Sequence, residues 1–235
     1  MIKYNTISLD AADTLFFIKD GLGAAYSKIL KNYTNQYNPE EISTTFKKHF
    51  SSKKGLHFTS LQGEDLFNAE KNWWYVLVKD IFLDLGMFKD FDQYFDDLYD
   101  YFSSEAWEIY PDTLPALKKL KKMGYKVIIT SNFDSRIYKV CEKLKITENI
   151  DSFTISSESG FSKPDKRIFY KSLEKVGSLP ENSIHVGDNY KLDYLASLEV
   201  GMKSLLIVRD DNSINNIEAT KINSLENIME HLNES

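Results

Sequence analysis

The sequence predicts an α/β protein: a doubly wound, parallel-sheet, Rossmann-like core that is split after its first strand by a helical insert. Two observations carry this. Short apolar runs such as Val127-Ile128-Ile129 recur through the second half and alternate with stretches of helical spacing, the pattern of strands buried on both faces. Between Gly21 and about Phe102 that texture disappears, and the apolar residues keep helical spacing instead.

In chain order, residues 3–9 read as a strand through Ile7 and Leu9. Ala24, Ala25, Tyr26, Ile29, Leu30 and Tyr33 fall on one helical face. Pro39-Glu40-Glu41 opens a helix toward Phe50, with proline in the first turn, and Ser51 to Gly55 breaks it. Glu64 to Leu85 is a long helix carrying Trp73 and Trp74, and Phe91 to Phe102 is an acidic, aromatic one. Pro111 and Asp112 open the next helix, which ends near Gly124. Strand Tyr125–Thr130, helix Ser135–Leu144, strand Phe153–Ser156 and helix Asp165–Val176 follow. Strand Ser183–Val186, helix Lys191–Leu198, strand Ser204–Val208 and a closing helix Ile222–Leu232 complete the reading. The expected division is a core of residues 1–16 plus 105–235 and a helical cap of residues 17–104, packed over the strand ends.

A chain of 235 residues, 42% hydrophobic and 14% aromatic, is large enough for one core with an inserted smaller unit. A net charge of −6 gives no broad basic field for nucleic acid. The single cysteine, Cys141, excludes an intrachain disulfide and reads as a helix packing residue. No apolar run approaches the roughly 20 residues that span a bilayer, and the N-terminus has no signal pattern. The expectation is a soluble cytoplasmic protein with no nucleic-acid or membrane partner, acting on a small phosphorylated or otherwise anionic substrate.

Four segments place polar residues just after predicted strands or at helix starts. They are Asp10 with Thr14, Ser131-Asn132, Lys163-Pro164, and Gly187-Asp188 followed by Asp193. Singly, each reads as a helix cap or a turn. At the carboxyl ends of parallel strands, where open α/β sheets bind their ligands, they fit one chemistry. Phosphoryl transfer needs a nucleophile, a cation to offset phosphate charge, and donors for the equatorial oxygens. Asp10 is the expected nucleophile, attacking phosphorus to form an aspartyl phosphate. Asp10, Asp188 and the backbone carbonyl of Ala12 are expected to hold Mg²⁺, a hard cation that takes oxygen ligands. Thr14, Ser131 and Asn132 are the expected phosphate contacts. Lys163 offsets charge on the nucleophile and the transferring group. Asn189 and Asp193 are expected around the cation, orienting its water or Lys163.

Over about residues 3–15 and 110–210 these segments resemble the haloacid dehalogenase superfamily. Its first motif, Asp-x-Asp-x-Thr-Leu, stands here as Asp10-Ala11-Ala12-Asp13-Thr14-Leu15. The second, a Ser or Thr after an apolar strand, is Ser131; the third is Lys163; the fourth, Gly-Asp-x-x-x-x-Asp, runs from Gly187 and Asp188 to Asp193. The insert resembles the superfamily's first type of cap. Ser131 to Asp134, His185 to Tyr190 and Gly201-Met202 are most similar to the group of haloacid dehalogenase-like hydrolase domain-containing protein 3. The resemblance implies a hydrolase. In the family's phosphatases a second Asp, two residues after the nucleophile, protonates the leaving group and later activates water. Here that position is Ala12, and Asp13 is expected to point elsewhere. Losing a general acid/base costs on the order of 10² to 10⁴ in rate, so slow turnover or a good leaving group is implied.

Three other readings stand beside a Mg²⁺-dependent phosphatase. The superfamily's namesake dehalogenases resemble this chain in lacking the second Asp, but they need no metal and lack the Gly-Asp that Asp188 retains here. Its phosphonate hydrolases also carry Ala two residues after the nucleophile and use a cap lysine as a Schiff base, and Lys53 and Lys54 are cap lysines. The third is a catalytically silent core used for binding, in which intact metal ligands would be superfluous. Trp73 and Trp74 read as packing of the cap or of its junction with the core. His49 and His57 read as surface residues, His185 as packing, and Asp92 to Asp100 as a solvated face.

Overall fold

The computed structural model of the chain describes residues 3–209 and 218–232. In chain order its elements are β1 (Thr6–Leu9), β2 (Phe16–Ile18), α1 (Leu22–Leu30), α2 (Pro39–Ser52), α3 (Gly63–Leu85), α4 (Phe91–Tyr101), β3 (Trp107–Ile109) and α5 (Thr113–Lys122). Then come β4 (Lys126–Ser131), α6 (Arg136–Lys143), β5 (Ser152–Ile155), α7 (Ser156–Ser159), α8 (Lys166–Glu174), β6 (Ser183–Gly187), α9 (Ala196–Val200), β7 (Lys203–Ile207) and β8 (Lys221–Ile222). Six strands form one sheet in the order β5-β4-β1-β6-β7-β8, every neighbouring pair parallel. The chain therefore folds as mixed α/β around a parallel central sheet.

The two faces of that sheet differ. Ile7 and Leu9, Val127 and Ile129, Ile184 and Val186, Leu205 and Ile207 alternate onto one face and build the main core with α5, α6 and Leu225–His231. The other face meets α8 and α9 through Ile128, Ile168, Phe169 and Met202. It also buries Ser8, Thr130, His185 and Ser204, and these are hydrogen-bonded rather than stranded.

Helices α1 to α4 have an apolar core of their own, centred on Tyr26, Ile42, Leu77, Ile81, Phe82 and Tyr94. Phe82 packs edge-on against Tyr37, Phe88, Phe91 and Tyr94. The helices hang from the antiparallel ribbon of β2 and β3, paired from Phe16–Ile109 to Ile18–Trp107. Sequence periodicity missed this ribbon because each strand has three residues and its partner lies far along the chain.

Two further expectations are corrected. Ile222–Leu232 is not one helix. Ile222 belongs to β8, and only Leu225–His231 winds, as a 3₁₀ helix capped by Ser224. The Asp112 carboxylate accepts from Leu225 N at 2.7 Å and Ser224 Oγ at 3.0 Å, which anchors the turn between them. Lys191–Leu198 begins as a π-helical turn, Tyr190–Leu195, before α9. Residues 1–2, 210–217 and 233–235, counted in the expected core, lie outside the described residues. Among the described residues no helix is long and apolar enough to cross a membrane. Cys141 is buried, and burial pushes its thiol up to about 12.

Because Phe82 is fully buried among rings, Phe82→Ala should cost about 3–5 kcal/mol, read as a lower urea midpoint by tyrosine and tryptophan emission. A change below about 1 kcal/mol would mean that the helical core tolerates the void.

Candidate active site

The register of the central strands assembles the site. Leu9 pairs with Ile129 on one side and Val186 on the other, so Asp10, Ser131 and Asp188 emerge together at the carboxyl edge of the sheet. Asp10 N extends the ladder by one bond to Val186 O at 2.9 Å. The chain then turns about the Ala11 carbonyl, which accepts from Leu15 N at 2.8 Å. Asp13 takes φ +58°, a left-handed conformation that Asp tolerates. Thr113 Oγ1 bonds Leu15 O at 2.7 Å and Arg209 Nη2 bonds Thr14 O at 2.5 Å, which pin the loop from outside.

Lys163 is the centre of the site. It is 4% exposed, and its Nζ donates to Asp10 Oδ1 at 2.6 Å and to Asp193 Oδ1. Asn132 clamps the Lys163 backbone from both sides, with Nδ2 donating to its carbonyl at 2.9 Å and Oδ1 accepting from its N–H at 2.7 Å. Asp193 also meets His185 Nε2 at 3.1 Å, and its other oxygen accepts from Asn189 N at 3.1 Å. Gly187 has to be glycine, because a Cβ there would lie 2.2 Å from Asp193 Cγ.

The acids of the site are unequally compensated. Burial alone would lower the Lys163 ammonium, but Asp10 and Asp193 outweigh it and hold the group above its usual range. Burial would raise Asp193; Lys163 and the His185 hydrogen bond pull it down to about 2 instead. Asp188 has no such partner. Burial, and then the charges of Asp10, Asp193 and Asp13, raise it to about 8. Carboxylate oxygens of Asp10, Asp188 and Asp193 lie within 4.8 Å of one another. An excess of hard, buried anionic donors around one point fits a divalent cation that prefers oxygen.

The predicted residues distribute as follows. Asp10, Lys163, Asp188 and Asp193 converge. The Asn132 amide holds Lys163 in place, so it is spent on the protein. The Thr14 hydroxyl, expected on phosphate, reaches Asp188 Oδ1 at 3.5 Å and faces the acidic cluster. Ser131 is buried at the end of β4. Asn189 Oδ1 caps the π-helical turn through the N–H groups of Lys191 and Leu192. Ala12 is half-buried and lines an adjoining cavity of about 700 Å³ together with Asp13, Lys163 and side chains of the helical insert.

Asp13 borders the cavity but stands outside the cluster of Asp10, Asp188 and Asp193, and burial and the Asp10 charge raise its carboxyl above the usual range. His185 is more than packing, since it joins Asp193 to the Ser8 hydroxyl. The signal for it was a histidine inside the apolar run Ile184-His185-Val186. Trp74, read from sequence as packing of the insert or of its junction with the core, lies at that junction: its Nε1 donates to Asp134 Oδ2 at 2.5 Å, and nearby Glu70, which the sequence did not single out, accepts from Ser135 N at 3.1 Å.

Comparison with known proteins places this geometry among relatives. A family model described as haloacid dehalogenase-like hydrolase matches residues 4–201. Haloacid dehalogenase-like hydrolase domain-containing protein 3 of Danio rerio is 30% identical over 207 residues, which are 86% of this chain and 84% of that protein. A magnesium-bound hydrolase of the same superfamily from Bacillus subtilis superposes with a TM-score of 0.75 at 15% identity, over 99% of this chain and 100% of the other. A phosphatase of that superfamily from Thermococcus onnurineus superposes with a TM-score of 0.68 at 19% identity, over 97% of this chain and 98% of the other.

Adding MgCl₂ at 100 times its Kd should stabilise the protein by about 2.7 kcal/mol, read as a rise in Tm. Asp188→Asn removes one of the mutually repelling carboxylates, so its metal-free Tm should equal or exceed that of the wild type while the Mg²⁺ shift disappears. A retained shift would mean that the cation binds elsewhere. Gly187→Ala should displace Asp193 and weaken the Mg²⁺ shift, with the far-UV circular dichroism unchanged.

Proposed function

The chain belongs to the haloacid dehalogenase-like hydrolase family, and from that premise we propose that it is a Mg²⁺-dependent phosphatase working through an aspartyl phosphate on Asp10. The observation that carries this is the Lys163 ammonium held between Asp10 and Asp193 beside the uncompensated Asp188. That arrangement supplies a positioned carboxylate and a cation that stays charged where phosphate would sit.

An Asp10 oxygen attacks phosphorus, and the bond from phosphorus to the leaving oxygen breaks, that oxygen departing with the electron pair. Lys163 offsets the charge gathering on the transferring group. Water then attacks the phosphorus of the aspartyl phosphate and loses a proton to solvent. The bond from phosphorus to Asp10 breaks and the carboxylate is restored. Mg²⁺, when bound, supplies charge neutralisation for the phosphoryl oxygens; Asp10 and Asp188 would hold it with the Ala12 carbonyl. Residues 17–104 act as a cap on a core of 1–16 plus 105–235, shielding the exchange from bulk water. The substrate is a small phosphorylated metabolite.

Ala12 cannot protonate a leaving oxygen. Activated esters and anhydrides should therefore be cleaved faster than alkyl phosphates. Ala12→Asp should raise kcat/KM on an alkyl phosphate by up to roughly 10²-fold, the low end of general-acid contributions. Asp10→Asn should abolish phosphate release in both backgrounds. Equal wild-type rates on aryl and alkyl phosphates would mean that another residue supplies the proton.

A further inference from the structure

The cavity beside Asp10 is larger and more aromatic than a phosphoryl group requires. Its volume of about 700 Å³ is that of a site for a drug-sized organic molecule. Phe46, Phe50 and Trp74 line it as a nearly parallel series: Phe46 and Phe50 stack at 5.2 Å and 15°, Phe50 and Trp74 at 6.3 Å and 23°. Phe50 is 48% exposed, so a large part of that ring has no protein cover. Lys53, Lys54, Arg136 and Lys163 line the same cavity, so the stacked rings form an apolar wall beside cationic groups. That combination suits a planar aromatic body carrying an anionic group.

The cavity also reaches the chemistry. Gly55 of the insert lies so close that a Cβ on it would be 2.7 Å from Ser162 Oγ, and His57 Nδ1 meets the same hydroxyl at 3.3 Å. Ser162 precedes Lys163, which also lines the cavity and hydrogen-bonds Asp10, so the aromatic walls adjoin the phosphoryl-transfer groups through Lys163. Ala12 independently points the same way. It leaves room beside the nucleophile, and an aryl oxide departs without the proton that an alkoxide needs.

We propose that this cavity is a recognition pocket for a fused-ring aromatic body, and that the preferred substrates are phosphate esters of bulky aromatic hydroxyl compounds. The proposal rests on the phosphatase reading above. The phosphoryl group meets Asp10 and Lys163 from the cavity side, and the ring system stacks along Phe50 and Trp74. The reaction forms the bond from Asp10 to phosphorus, breaks the aryl oxygen–phosphorus bond, and releases the aryl oxide with its electron pair, to be protonated by solvent.

The test compares acetyl phosphate, phenyl phosphate and 2-naphthyl phosphate with the full chain and Mg²⁺. The two aryl leaving groups have similar basicity and differ in body, so their ratio isolates the pocket. The expected kcat/KM for 2-naphthyl phosphate is about tenfold or more above that for phenyl phosphate, from the extra apolar surface buried. Phe50→Ala should reduce that ratio severalfold; the ring is half exposed, so folding tolerates its removal, and circular dichroism checks this. Asp10-dependent cleavage of acetyl phosphate with equal rates on the two aryl esters would overturn the pocket and leave the phosphatase reading standing. If all three compounds are inert, the phosphatase reading fails. Calorimetric titration of Asp10→Asn with 2-naphthyl phosphate and phenyl phosphate then decides the pocket: at least tenfold tighter naphthyl binding, weakened by Phe50→Ala, supports it, and equal affinities overturn it.

Discussion

The buried ammonium of Lys163 is the constraint to which the rest of the site conforms. An ammonium taken out of water costs several kcal/mol unless it is fully paired, and leaving one partner of such a pair unmatched costs about 3–5 kcal/mol. Lys163 meets this with Asp10 and Asp193 at once. Each of its partners then needs a support of its own. Asp10 is set by the central strand, Asp193 by His185 and the Asn189 N–H, and the Lys163 backbone by Asn132. Gly187 is the cost of bringing Asp193 so close to β6. Asp188 has no ammonium partner of its own, and burial and the neighbouring acids raise its carboxyl to about 8.

The support extends beneath the sheet. From Asp193 a chain of buried polar contacts runs through His185 and the hydroxyls of Ser8, Thr130 and Ser172, each link between 2.6 and 3.1 Å. It crosses β6, β1 and β4 to reach α8. Such a network stabilises only when each member is satisfied, and it then holds its members in one arrangement. The polar face of the sheet thus braces the acids above it, while the opposite face supplies the apolar core.

The helical insert joins this frame through charged and aromatic groups. Arg136 pairs with Asp134 at 2.6 Å and lies over the rings of Tyr99 and Trp74, at 4.2 and 4.9 Å, while Glu70 reaches Ser135 from α3. Its aromatic wall is therefore held in register with the loop that follows β4, next to Asn132 and the site.

Much of this was legible in the chain. Strand and helix order followed from local periodicity, because strands buried in a parallel sheet and amphipathic helices must carry their own apolar patterns. Asp10 and Asp188 were legible because a polar residue just past a buried strand has few places to go but the sheet edge, and Lys163 and Asp193 through the motifs they share with the family. The absence of a carboxylate at Ala12 was likewise a fact of sequence alone. Tertiary structure decided what depends on distant partners. The β2–β3 ribbon needed strands from either end of the insert, and β8 needed β7 beside Ile222. Thr14 faces Asp188, and Asn132 serves Lys163, because hydrogen bonds across about 30 or 170 residues leave no periodic trace. The aromatic cavity is of the same kind. Its rings come from α2, α3 and α4 as well as the core, and only packing turned residues that each read as interior into one open wall.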